Sequence, residues 1–131
     1  MGTSSTVTIC EDGKPLCTIY QQFDGYIKNG VGEELKAFVK SKPFVNVIAD
    51  NKNVFTGAGC FAVQFIAEFK NGERGFRITN LCDIQKYNYF VDVIYKKWKC
   101  VCMEPSKVVI KCIVYGEEVE EYTEEIIQEN I

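Results

Sequence analysis

The sequence predicts an α+β fold in which an N-terminal β-hairpin and two helices are followed by an antiparallel β-meander packed on those helices. Stretches with the alternating pattern of strands lie on both sides of two stretches with helical spacing. Because strands and helices are segregated along the chain, this order disfavours a parallel sheet built from β-α-β units. The length of 131 residues, with 47% hydrophobic and 25% charged residues, is typical of one globular domain.

The hairpin is predicted from two strand-like segments around a tight turn. Residues 6–10 alternate and are rich in β-branched side chains, and residues 16–20 form the returning strand. Asp12-Gly13 between them is a pair that favours a two-residue hairpin turn.

Two helices are predicted over residues 33–42 and 58–70. The first has one apolar stripe and ends before Pro43, because the residue before a proline disfavours helical backbone. The second is apolar on nearly every side, which indicates the central buried helix, and Asn71-Gly72 closes it.

The second half of the chain predicts the meander and an acidic end. Pro105-Ser106 is expected to join the last two of its strands. From Glu118 onward, apolar residues at helical spacing between glutamates predict an amphipathic C-terminal helix. The predicted strands cover residues 75–79, 87–95, 99–103 and 107–115.

Charge is distributed unevenly along the chain. Residues 117–131, the acidic tail segment of the single domain 1–131, hold seven glutamates and no Lys or Arg. The other 116 residues therefore carry 11 acidic and 15 basic side chains, a net charge of +4, against −3 for the whole chain. The tail is interpreted either as a docking helix for a partner, as a cover for the basic body, or as a solvated capping helix.

The composition excludes several classes of protein. The chain has no histidine, so triads of the Ser-His-Asp and Cys-His types and His-ligated zinc are excluded. Seven cysteines are an odd number, and the first residues do not form a secretory leader, so reduced thiols in a cytosolic or nuclear space are expected. No stretch reaches about 18 apolar residues, so no membrane span is predicted. Cys100 and Cys102 lie two apart on a strand but lack a second close pair, and neither a metal nor a cofactor is predicted.

The most distinctive stretch is an aromatic segment with a carboxylate directly before a glycine. Its rings can wall a pocket in which Asp24 and Gln22 bind a polar ligand. Alternatively, Asp24 closes an Asx-turn and the rings belong to the core. The candidate ligand-binding residues here are Tyr20, Gln22, Phe23, Asp24 and Tyr26.

The entry into the second helix is a candidate anion site. Thr56, Gly57 and Gly59 precede or open the helix without an acidic residue, and helix N-termini attract anions. A lone Gly-x-Gly is a weak motif, however, and the two glycines equally permit close packing of a buried helix.

A basic aromatic cluster is a candidate macromolecule-binding site. Lys96, Lys97, Trp98 and Lys99 are interpreted as a turn that combines positive charge with a ring, as proteins that bind single-stranded nucleic acid do. The alternative is a solvated hairpin turn whose lysines discourage edge pairing.

Residues 20–26 read Tyr-Gln-Gln-Phe-Asp-Gly-Tyr and residues 30–35 read Gly-Val-Gly-Glu-Glu-Leu. In this the chain resembles a group of small proteins from tailed phages and large DNA viruses, among them uncharacterised marseillevirus-type proteins. Those carry a Tyr-x-x-Trp/Phe-Asp-Gly-Tyr stretch followed by a Gly and a Leu-containing helix. Many phage versions have His-Trp where this chain has Gln22-Phe23, so no role of that histidine carries over. The resemblance implies a viral origin and assigns no activity.

Together these observations predict a non-catalytic viral recognition protein that binds a host or viral macromolecule, nucleic acid included. A homodimer in the host cytoplasm or nucleus, or in the virion, is expected. The alternative is a binder of a small ligand or nucleotide signal that acts against host defence, with its pocket between the Asp24 turn and the Thr56 helix entry. A further alternative is an enzyme that uses Asp24 with Tyr20 or Tyr26.

Overall fold

A computed structural model describes residues 3–45, 53–70, 75–98, 102–115 and 121–127. It confirms the α+β class: a six-stranded sheet, with the strand order β3-β2-β1-β4-β5-β6, carries two helices. The elements are β1 (Ser5–Glu11), β2 (Lys14–Gln21), α1 (Val31–Lys40), α2 (Gly57–Phe69), β3 (Arg77–Thr79), β4 (Tyr87–Trp98), β5 (Cys102–Val114) and β6 (Glu121–Ile127).

The predicted hairpin is present, because β1 and β2 pair antiparallel across Asp12 and Gly13. Both turn residues have positive φ angles, 47° and 80°, as a tight hairpin turn requires. The turn is also tied to the neighbouring strand β4. The Asp12 N–H donates to the Val93 carbonyl at 3.0 Å, and the Gly13 N–H donates to the Asp92 carboxylate at 2.9 Å.

The sheet is mixed, whereas the sequence predicted only antiparallel pairing. β1 runs parallel to β4, and all other neighbouring pairs are antiparallel. The parallel pair follows from the chain order, because α1 and α2 lie between β2 and β4 and carry the chain back to the other side of β1.

The helices pack on one face of the sheet and form a single core with it. Alternate side chains of β1, β4 and β5 point to this face, as the period of two in a strand requires. The opposite face, called the outer face below, carries the other alternate side chains of the same strands. The fully buried core side chains include Val7, Ile9, Ile19, Val31, Leu35, Phe55, Phe61, Phe65, Tyr89, Val91 and Ile110.

The two strands predicted around Pro105-Ser106 are one continuous strand, β5. The register of β4 and β5 shifts at this point, so that Tyr95 pairs with Pro105 while Ile94 pairs with Lys107. Ser106 is the extra residue, and its hydroxyl donates to the Ile94 carbonyl at 3.0 Å. Since proline has no N–H to give to the ladder, a bulge lets the strand continue where the sequence predicted a break.

The predicted C-terminal helix is wrong over the described residues, because Glu121–Ile127 is the edge strand β6. It pairs antiparallel with β5 from Lys107↔Ile127 to Ile113↔Glu121. Lys107 and Glu125 form an exposed ion pair across the two strands at 3.4 Å. The free edge of β5 offers seven residues of backbone pairing, which an isolated, glutamate-rich helix does not match. Residues 116–120 and 128–131 of the predicted acidic end lie outside the described residues.

Two buried thiols of the sheet resist ionisation. Burial raises the pKa of Cys112 from 9.0 to about 12, and burial together with the negative charge of Asp92 raises that of Cys10 to about 11. Burial also raises the pKa of the Tyr89 hydroxyl. Because the folded chain holds these protons more tightly than the unfolded chain, their contribution to stability is complete below pH 9 and is lost as the pH rises beyond it.

We therefore expect the free energy of unfolding to fall by a few kcal/mol between about pH 9 and 11, since one unit of raised pKa corresponds to about 1.4 kcal/mol. Urea denaturation at a series of pH values measures this fall. Cys112→Val is the control, because valine is similar in size and does not titrate, so its stability should decline less steeply above pH 9. An equal decline in both proteins would contradict the role of this thiol.

Among the described residues, neither helix is long and apolar enough to cross a bilayer.

Candidate functional site

The predicted ligand-binding segment around Asp24, residues 22–26, forms a loop that is called the Asp24 loop below. Hydrogen bonds to Thr3 and Tyr89 hold it in place. The Gly25 N–H donates to the Thr3 carbonyl at 2.9 Å, and the buried Tyr89 hydroxyl donates to the Gly25 carbonyl at 2.7 Å. A side chain at Gly25 would lie 2.8 Å from the Thr3 carbonyl oxygen and 3.0 Å from the Ser5 Cβ. Glycine is thus needed at position 25, because the loop packs directly on the start of β1.

The same loop caps the N-terminus of α1 with backbone carbonyls. The Val31 N–H donates to the Asp24 carbonyl at 2.8 Å, and the Gly32 N–H donates to the Tyr26 carbonyl at 3.0 Å. Asp24 has a φ of 60°, a conformation that aspartate tolerates better than most residues. The loop therefore satisfies amides that a helix start would otherwise leave without partners.

The side chains of this loop remain at the surface. Gln22, Phe23, Asp24 and Tyr26 are exposed. The ring of Tyr26 contacts that of Tyr87 edge-on, with 6.1 Å between centroids. Nearby, the Arg77 guanidinium stacks 4.1 Å from the centroid of the Tyr20 ring. A ligand role for these side chains stays a prediction.

The predicted anion site at the start of α2 is engaged by a side chain of the sheet. The Ala58 N–H donates to the Tyr95 hydroxyl at 2.9 Å. Gly57 has a φ of 80°, and a Cβ there would lie 2.8 Å from that hydroxyl oxygen. Around Gly59 there is open space. The phenol thus takes the helix amide that an anion would use, which favours the packing interpretation of Gly57.

The two halves of the predicted ligand pocket lie at opposite ends of β1. The Asp24 loop is tied to Thr3, just before the strand, whereas the backbone N–H of Tyr95, at the α2 entry, donates to the Asp12 carboxylate, just after the strand. Seven strand residues span roughly 20 Å. Asp24 and Thr56 therefore do not form one pocket.

The predicted basic turn is only partly described. Lys96, Lys97 and Trp98 belong to β4 rather than to a turn, and Lys99 lies outside the described residues. Cys100 of the weighed zinc pair also lies outside them.

The outer face of the sheet holds a cleft that sequence reasoning missed. It has a volume of about 110 Å³ and lies between β1, β2, β4 and β5 and the loop that connects β3 to β4. Its floor is polar and buried, and its rim is apolar. The floor consists of Thr6, Thr8, Thr18 and Asn88, and the rim of Leu81, Ile84, Phe90, Ile113 and Tyr115, with Asp83 beside them.

Hydrogen bonds hold the floor in place. The Thr6 hydroxyl donates to the Asn88 side-chain oxygen at 2.9 Å, and the hydroxyls of Thr8 and Thr18 share a hydrogen bond of 2.9 Å. The Asn88 side-chain oxygen also accepts from the Gln85 N–H at 3.0 Å, and its amide donates to the carbonyls of Gln85 and Ile113 at 2.8 and 3.3 Å. All four partners of this amide are therefore protein groups.

The rim exposes large apolar side chains on a braced loop. Leu81 is 50% exposed, Ile84 58% and Tyr115 48%. The loop is fixed by Asp83, whose carboxylate accepts from the Thr79 hydroxyl at 2.7 Å and from the Gln85 amide. Exposed apolar groups that surround a pocket are typical of binding sites. The only sequence signal was two apolar residues, Leu81 and Ile84, in a segment with neither helical nor strand spacing.

Another buried polar cluster lies on the helix side, below the Asp24 loop. Gln21 and Ser5 are partners in the β1–β2 register, and both are fully buried. The side-chain oxygen and nitrogen of Gln21 and the hydroxyl of Ser5 have no hydrogen-bond partner among the described residues. Buried groups of this kind destabilise a fold.

Within the described part of the chain, no three Cys, Asp or Glu side chains are grouped as metal ligands. No protein-family model, curated protein or solved structure matches this chain.

Proposed function

We propose that the protein is a non-catalytic recognition protein that binds a host or viral protein, and that the outer-face cleft receives one side chain of that partner. The observation that carries this proposal is the apolar rim around the cleft, with Leu81, Ile84 and Tyr115 each about half exposed. Interface hot spots are anchors of this kind, in which one side chain fills a small pocket.

The size of the cleft favours a side chain over a free ligand. Pockets for drug-sized molecules usually measure about 300–1,000 Å³, whereas this cleft measures about 110 Å³. A cavity of about 150 Å³ holds one benzene molecule. The cleft therefore matches about one ring, and a nucleotide would not fit it.

Charge favours a protein partner over nucleic acid. Asp83 lies at the cleft, and the whole chain carries a net charge of −3. Proteins that bind nucleic acid usually present a basic surface to the phosphates. The resemblance of residues 20–35 to proteins of large DNA viruses and phages supports a viral origin, and with it a partner in the infected cell.

The proposal is tested with Ile84→Asp, which places a charge on the rim. For a partner captured by the wild-type protein and then purified, we expect direct affinity to fall by at least about tenfold, because the loss of a hot-spot contact typically costs about 2 kcal/mol or more. Val63→Asp is the matched control. Val63 is an apolar residue of α2 that is 68% exposed, and α2 packs on the other face of the sheet. Its substitution should leave the affinity unchanged.

Three results would overturn the proposal. One is equal binding by the wild-type protein and Ile84→Asp. Another is a partner that proves to be nucleic acid, with an affinity that falls steeply with salt. The third is a wild-type protein that sediments as the predicted homodimer while Ile84→Asp sediments as a monomer. A second copy of the chain, and not a partner protein, would then cover the cleft.

A further inference from the structure

We infer that the outer-face cleft is a site for a phenol, so that the anchor presented by the partner is a tyrosine side chain. This inference rests on the proposed function and specifies the chemistry of its occupant. It is drawn from the shape of the cleft, the polarity of its floor and the hydrogen-bonding capacity that the floor still has.

The rim of the cleft fits an aromatic ring. Phe90 and Ile113 are partly exposed on neighbouring strands, and Leu81 and Ile84 face them from the loop. The volume of the cleft, about 110 Å³, is of the same order as a cavity of about 150 Å³ that holds one benzene molecule.

The polar floor requires an occupant with a polar end. An aliphatic side chain or a phenylalanine would close the cleft over the buried Thr8 and Thr18 without offering an acceptor to the hydroxyl proton that their mutual hydrogen bond leaves unused. Such uncompensated burial costs affinity. A tyrosine combines a ring for the rim with a hydroxyl for the floor.

The groups that can bind this hydroxyl are few. Asn88 is engaged with four protein groups, so it shapes the floor and does not select the ligand. The hydrogen bond between Thr8 and Thr18 uses one of their two hydroxyl protons, so the pair can donate the other. The Asp83 carboxylate can accept further hydrogen bonds besides those from Thr79 and Gln85.

A phenol complements these groups, because its oxygen accepts a proton and its O–H donates one. The threonine pair supplies the donor and the Asp83 carboxylate the acceptor. Sites with such groups discriminate strongly against an analogue that lacks the hydroxyl, since their own polar atoms are then left unpaired. In a cleft this open, we expect a difference of about tenfold, the value of one hydrogen bond to a charged group.

The experiment uses the full chain labelled with ¹⁵N and two probes, N-acetyltyrosinamide and N-acetylphenylalaninamide. Titration followed by amide NMR should shift the resonances of Thr8, Thr18 and Phe90, with the tyrosine probe binding about tenfold more tightly. In the double variant Thr8→Val and Thr18→Val, which keeps the β-branched shape, the preference for the tyrosine probe should become smaller, because the Asp83 carboxylate is then the one group of the pair of partners that can still bind the hydroxyl. The dispersed amide spectrum of this variant verifies its fold, and Asp83→Asn gives a second, independent loss of discrimination.

Equal affinity of the two probes for the wild-type protein would overturn the inference, as would the absence of shifts at the cleft with either probe. Neither result touches the proposed function, which fails if Ile84→Asp leaves partner binding intact, if the partner is nucleic acid, or if a second copy of the chain covers the cleft. The inference would also be overturned if the double threonine variant and Asp83→Asn both still bound the tyrosine probe about tenfold more tightly than the phenylalanine probe. Neither the threonine pair nor Asp83 would then bind the phenol hydroxyl.

Discussion

Replacing Gly30 by alanine should lower the free energy of unfolding by about 3 kcal/mol, the upper range for overpacking a closely packed site. A Cβ at this position would lie 2.7 Å from the Tyr26 carbonyl oxygen and 3.0 Å from the Tyr26 nitrogen, and would also press on the Asp24 carbonyl oxygen. Both carbonyls accept hydrogen bonds from the first amides of α1. Since the crowded atoms are backbone, relief of the clash must break the helix cap.

Chemical denaturation of the purified protein measures this effect, and Gly59→Ala is the matched control. Gly59 lies inside α2, and a Cβ there meets nothing within 4 Å. Its replacement should therefore stabilise the protein by about 1 kcal/mol, because alanine loses less backbone freedom in a helix than glycine does. Similar stability changes for the two glycines would show that the loop does not pack on α1 as described.

Local chemistry made part of the fold predictable. The hairpin follows from Asp12-Gly13, since few other pairs accept two consecutive positive φ angles. The helices follow from apolar spacing, which is a property of a single segment. Elements of this kind are specified by neighbours in the sequence.

The edge strand β6 depends on a distant partner and was therefore mistaken for a helix. Tyr122, Ile126 and Ile127 fit a helical stripe, but Tyr122 and Ile126 also fit one side of a strand. In the structure Ile126 pairs with Val108 and Tyr122 with Cys112, so the free edge of β5 decides between the two. The parallel pairing of β1 with β4 is likewise a property of the whole chain.

The two sites also differ in whether neighbouring residues or distant residues specify them. The Asp24 loop was recognised by its unusual residues, yet its hydrogen bonds to α1 and to the Tyr89 hydroxyl use the carbonyls of residues 24–26, which leave no side-chain pattern. The outer-face cleft was missed because Thr8, Thr18, Ile84 and Phe90 come from four separate segments. Only the pairing of the strands brings them together.

Replacing Gln21 by methionine should raise the free energy of unfolding by about 2 kcal/mol, since a buried polar group without a partner costs about 1–3 kcal/mol. The Gln21 side chain is fully buried, and neither its oxygen nor its nitrogen has a partner among the described residues. Methionine has a similar length and volume, no hydrogen-bonding requirement, and the flexibility to fill the same space. The change therefore removes the desolvation penalty and keeps the packing.

Gln22→Met is the matched control, because the neighbouring side chain is exposed and already solvated, and its replacement should change the stability by less than about 0.5 kcal/mol. A double-mutant cycle with Ser5→Ala then tests the origin of the effect, since Ser5 is the register partner of Gln21 and its hydroxyl is also without a partner. Two independent penalties should add, within about 0.5 kcal/mol. Destabilisation by Gln21→Met, with strong coupling to Ser5→Ala, would contradict the prediction. It would mean that both groups share a hydrogen-bonded water molecule, which the substitution of either one disrupts.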